Sequence, residues 1–209
     1  MSDFWKSYDI TALEYGEGYQ CYPLYGKIHR IELALSLLFI VGVALWYKRN
    51  GAKLRRKILV GVTGLLLLDE AALLLGMALT DQWNWSYLPL HLCSINIFLI
   101  ALHAWRRPKL LDTFLYFVCL PAACAALLFP TWAPLPPLNF MVIHSFTVHF
   151  LLALYPLALT LRGDMDPQPR AFPRCFALLA AMAVPIWFFD RAFDTNFMFL
   201  MRADEGNPL

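Results

Sequence analysis

The sequence has little charge and lacks the marks of most soluble chemistry. Asp, Glu, Lys and Arg make up 15% of its 209 residues, against 60% apolar by the AVILMFWYC count, and a soluble domain carries more of the former and less of the latter. No GxGxxG or GxxxxGK occurs, so dinucleotide and P-loop phosphate sites are not expected. The five cysteines, Cys21, Cys93, Cys119, Cys124 and Cys175, show no CxxC spacing. That removes the usual zinc signature, and four of the five lie in or beside apolar segments, where a disulfide framework is not expected. Met1 to Gln20 is acidic and aromatic and has no apolar run, so it reads as a surface arm and not as a cleavable leader. Repeats, low-complexity tracts and linkers are missing too.

What is present is six apolar windows: Ile31 to Tyr47, Ile58 to Leu79, Tyr87 to Trp105, Leu110 to Phe129, Leu138 to Leu161 and Ala171 to Phe189. Each is near the ~20 residues that a helix needs to cross the hydrocarbon layer. The expected fold is all-α: a polytopic transmembrane helical bundle of six spans, with residues 1–27 as an N-terminal interfacial arm and 28–209 as a single membrane domain. Twelve of the seventeen basic residues fall in alternate connections, at Lys48 to Lys57, at Arg106 to Lys109 and at Arg162 to Arg174. The positive-inside rule then places both termini of this multi-pass protein outside. Trp83, Trp85, Tyr87 and Trp132 sit in or beside the uncharged connections, where aromatic belts form. Pro121, Pro156 and Pro185 interrupt three spans and are expected to kink them. The basic loops are accounted for by topology, which leaves no patch for nucleic acid.

The stretch LPLHLCSIN, Leu88 to Asn96, brings a histidine, a cysteine and an asparagine into an otherwise apolar segment. With the third span starting near Tyr87, a rise of ~1.5 Å per residue puts His91 about 6 Å and Cys93 about 9 Å below the outer surface; His144, on a span entering from the same side, also comes out about 9 Å down. His29 and Glu32 face the same layer, while Asp69, Glu70 and His149 fall deeper. Polar groups in lipid usually face one another or a cavity, so the cluster reads as a pocket toward the outer leaflet. The alternative is interhelical hydrogen bonding as structural glue, at about 0.6 kcal/mol per bond.

A thiol in an apolar site needs a base to take its proton during attack, and histidine is the natural one. His91 is a poor direct partner for Cys93, because positions two apart diverge on a helix. His144, from another helix, is better. Asn96 shares the Cys93 face and could donate to an oxyanion, or could simply bond a neighbouring helix. Glu70 could orient a histidine, although Asp69 and Glu70, being adjacent, are not expected to face the same way. Two other classes stay open: a binding or transport subunit in which His91, His144 and Asn96 only hold a small molecule, and metal or haem binding by His29, His91 and His144. Of these ligands only His29 has an acid at helical spacing, Glu32, so no metal is expected.

The segments LPLHLCSIN, HSFTVHF and TNFMFL resemble the YwaF-like family of integral membrane proteins, from about His29 to the end of the chain. That family spans bacteria, which implies a bacterial cytoplasmic membrane, and includes, more remotely, an animal transmembrane acyltransferase that builds polyunsaturated ether phospholipids. The resemblance implies a lipid acyltransferase or lipid-ester hydrolase that works through an acyl-enzyme and passes its acyl group to a lysophospholipid, with membrane phospholipid as partner and no cofactor. By motif the cysteine is Cys93; the histidine is His144 or His149; Asn196, in TNFMFL, joins the supporting residues. Relatives continue past NFMFL with a further apolar span, where this chain reads RADEGNPL.

Overall fold

A computed structural model gives the fold, and the structure describes residues 3–7, 14, 21, 23–130 and 135–203. The belt expectation at Trp132 and most of the RADEGNPL tail lie outside those residues. Among the described residues six helical spans are long and apolar enough to cross a membrane, and no strand occurs. They are α1 (Lys27–Arg49), α2 (Ala52–Leu79), α3 (Leu92–Arg106), a span built from α4 (Lys109–Phe114) and α5 (Leu120–Leu128), α6 (Phe140–Arg162) and α7 (Phe172–Phe193). The connections at 50–51 and 107–108 are so short that the helices they join must run antiparallel.

The hub is α6, which packs on α1, α2, α3 and α5. It is apolar on every side, from Val142 and Phe146 to Leu154 and Leu159, as a helix surrounded by others must be. Of its most hydrophobic stretch 67% is buried, against 11% for α7, so α7 lies at the rim. The amino end of α6 is set by Asn139, whose side chain accepts from the Met141 amide at 2.8 Å, a standard N-cap. Gly163, at φ 79°, ends the helix in the left-handed conformation that favours glycine.

One local expectation is corrected. The third helix starts at Leu92 and not near Tyr87, because Leu88 precedes Pro89 and is held extended at ψ 146°. His91, at φ −65° and ψ 150°, is therefore the N-cap and not a helical residue. The rise-per-residue depths for His91 and Cys93 accordingly do not apply. The prolines act differently from one another: α6 and α7 continue through Pro156 and Pro185 as single helices, whereas a π-helical turn, Leu115–Cys119, precedes Pro121 and absorbs its missing N–H.

Polar contacts divide the bundle into two ends. At one, the three basic connections meet: the Tyr47 hydroxyl donates to Asp164 at 2.7 Å, Arg55 pairs with the same carboxylate at 3.0 Å, and the Gln168 amide donates to Thr113 at 3.0 Å. At the other, residues 3–7, the α2 terminus, the start of α6 and the TNFMFL stretch gather around LPLHLC.

Candidate functional site

A cavity of about 690 Å³ opens at this second end, within the ~300–1,000 Å³ usual for small-molecule sites. Six of the eight sequence candidates line it: Glu70, His91, Cys93, Asn96, His144 and His149. Its walls are apolar, with Ala122, Ala123, Ala125 and Ala126 from α5 facing Leu179 and Ala183 from α7. The two remaining candidates turn elsewhere. His29 accepts from the Tyr25 amide through Nδ1 at 3.0 Å and therefore donates through Nε2 to the Leu127 carbonyl at 2.9 Å. Asn196 ties its own loop, accepting from the Met201 and Arg202 amides and donating to the Arg202 carbonyl.

Cys93 owes its position to the delayed start of α3. It is the second residue of the helix, where N–H groups have no intrahelical acceptor. The amides of Cys93 and Ser94 therefore lie at the open end of the helix, with no side-chain cap from His91. A helix amino end that faces an apolar cavity is a ready set of donors for a developing oxyanion. These backbone groups fit that role without Asn96.

His144 is held between two acids of α2. Its Nδ1 lies 3.1 Å from Asp69 Oδ2 and its Nε2 4.0 Å from Glu70 Oε2. The Cβ directions of these adjacent acids differ, and the imidazole sits between them with one carboxylate toward each nitrogen. The Asp69 contact is within ion-pair range but off the line of a hydrogen bond, so Asp69 Oδ2, Glu70 Oε2 and His144 Nδ1 are all buried without a hydrogen-bond partner, as is Asn96 Oδ1. His149, one turn further along α6, donates from Nδ1 to the Ser145 carbonyl at 2.7 Å, which leaves Nε2 as the basic nitrogen of the neutral ring.

His91 joins the two motifs. Its Nδ1 accepts from the Met198 amide at 3.4 Å, and its ring packs against Phe197 at 5.0 Å and Phe199 at 5.9 Å. TNFMFL therefore folds over LPLHLC as a cover, with Met198, Phe199 and Leu200 lining the cavity. Asp194, Met198 and Phe199 have φ between 51° and 56°, a left-handed conformation worth about 1–3 kcal/mol of strain each for side chains of this kind. Asp190 holds the cover in place by accepting from the Thr195 hydroxyl at 2.7 Å and the Phe197 amide at 2.9 Å.

Sequence reasoning missed Asp190, and it missed a buried chain at the basic end in which His103 meets Tyr155 at 3.0 Å and Asp112 at 2.7 Å. An acid in an apolar helix and a fifth histidine in a span were the available signals. Among the described residues no three or more His, Cys, Asp or Glu side chains are grouped to hold a metal ion.

Six apolar spans around a cavity lined by a thiol, histidines and the Glu70 carboxylate define a multi-pass membrane protein with a candidate site. The chain matches the TMEM164 family over residues 24–209 and belongs to that transmembrane family. No curated protein and no solved structure matches it.

Proposed function

We propose that the chain is an intramembrane lipid acyltransferase, or a lipid-ester hydrolase, that works through an acyl-enzyme on Cys93. The observation that supports this most is the thiol at the uncapped amino end of α3, in the same apolar cavity as an imidazole flanked by carboxylates. In the first step the Cys93 sulfur attacks the ester carbonyl carbon of a phospholipid while His144 takes the thiol proton. The amides of Cys93 and Ser94 stabilise the oxyanion. The C–O bond then breaks, and His144 returns the proton to the departing lysophospholipid oxygen. In the second step the hydroxyl of a lysophospholipid, or water, gives its proton to His144 and attacks the thioester carbonyl. The C–S bond breaks and the thiol regains the proton. Asp69 orients His144, in the manner of the third member of a nucleophile–base–acid set. By the positive-inside rule the cavity end is the outer leaflet of a bacterial cytoplasmic membrane, with both termini on that side.

The test is lipid mass spectrometry of cells that express the wild type, Cys93→Ala, His144→Ala and His149→Ala. Loss of one remodelled lipid class in the Cys93 and His144 variants is the expected result. Full turnover by Cys93→Ala removes the proposal, and loss with Cys93→Ala and His149→Ala but not with His144→Ala moves the base to His149, whose tautomer suits it.

The predominance of alanine and leucine in the walls also favours a second reading, a small-molecule binding or transport subunit without catalysis. In that case Cys93→Ala keeps a co-purifying ligand and alters no lipid.

A further inference from the structure

The N-terminal turn Asp3–Trp5 and the two residues after it lie against the cavity end, outside the residues that match the family. Backbone groups of three consecutive residues are taken up by side chains at the two helix ends that flank the site. Gln82, just past α2, donates to the Trp5 carbonyl at 2.8 Å and accepts from the Ser7 amide at 2.7 Å. Asn139, the N-cap of α6, donates to the Lys6 carbonyl at 2.8 Å.

The Trp5 ring fills a notch in α2 at Gly76, where a Cβ would fall inside the indole. A glycine inside a helix loses about 1 kcal/mol relative to alanine, so the space it leaves is in use. From this seat Trp5 stacks on Phe140, centroids 4.4 Å apart at 29°. Phe140 stacks in turn on His144, one turn along the same face of α6, at 6.0 Å and 25°. The three rings form a column between α2 and α6. Asp69 lies seven residues before Gly76, two turns down the same face of α2, so one helix supplies both the seat of the top ring and the acid beside the bottom one.

We infer that Trp5 is a positioning residue for His144: it clamps Phe140 against the imidazole and so holds that ring between Asp69 and Glu70. Without the indole a gap opens between α2 and α6 directly above the pair. Phe140 then loses its stacked neighbour and keeps only the edge contact of Phe4 at 5.9 Å, and His144 gains freedom to turn. This goes beyond the acyl-transfer reading and is tested without any lipid substrate.

The experiment is carbethoxylation of the full chain in lipid nanodiscs by diethylpyrocarbonate, with modification at each histidine followed by mass spectrometry. Trp5→Ala is expected to raise the rate at His144 several-fold and to leave His29 and His103 unchanged. Trp5→Phe, which keeps a flat ring, restores the slow rate. Gly76→Leu evicts the indole from the other side and reproduces the Trp5→Ala pattern. An unchanged rate at His144 in Trp5→Ala overturns the proposal. So does a rise shared by His29 and His103, because that would mean the segment merely holds the bundle together. Failure of Trp5→Phe to restore the slow rate also counts against it, since a stacked ring is what the column requires.

Discussion

The bundle carries histidines and carboxylates at both ends and treats them in opposite ways. At the basic end the His103 ring is bonded on both sides. The carboxylate of Asp112 can only accept, so Nε2–H donates to it and the Tyr155 hydroxyl donates to Nδ1. Beside this, Asp164 takes both Tyr47 and Arg55. At the cavity end, Asp69, Glu70, Asn96 and His144 each keep a buried polar atom without a hydrogen bond. Buried polar atoms are nearly always satisfied, and the exceptions need a reason. The same residue types are therefore fully bonded at the one end and keep unsatisfied polar atoms at the other.

If the chain is the proposed acyltransferase, the largest effect that separates the ends is kinetic. His144→Ala is expected to lower acyl transfer by about 10²- to 10⁴-fold, the range for a general base, while the thermal midpoint in detergent stays in place; a large fall in midpoint with retained turnover would reverse the assignment of the two ends. Asp112→Ala should do the opposite. It leaves a buried His103 donor without its acceptor, so stability drops by about 1–3 kcal/mol, and turnover per folded molecule is unchanged. Thermal unfolding run alongside lipid analysis reads both.

Smaller effects sharpen the contrast. Asp190→Ala removes the acceptor from Thr195 and Phe197 and should loosen the strained TNFMFL cover by about 1 kcal/mol; faster hydrogen exchange at the Phe197 amide, with the Leu159 region of α6 unaffected, is the measurement. Asn96→Leu should fall within about 0.5 kcal/mol of the wild type or be stabilising, because it replaces an amide whose buried oxygen is unsatisfied with an apolar group of similar size. A loss of several kcal/mol there would show that Asn96 is structural glue after all.

Several features of the site could be read one residue at a time. Cys93, His91 and His144 were marked by being polar within apolar runs, and they do line one cavity. His29 carried the same mark and yet spends both ring nitrogens on its own corner of the bundle. Nothing in its local sequence separates it from His91. Pro89, by contrast, held in plain view the reason α3 starts late. The depth estimate overlooked it by counting turns from Tyr87.

Six spans and the alternation of basic connections followed from composition along the chain, because transfer of a segment into lipid is close to a sum over its residues and needs no knowledge of neighbours. The rotation of each helix about its axis is a different kind of quantity. It depends on which faces interlock across segments far apart in sequence, so only the tertiary structure could place Asp69 and Glu70 on opposite nitrogens of His144, fold TNFMFL over His91 and seat Trp5 at Gly76.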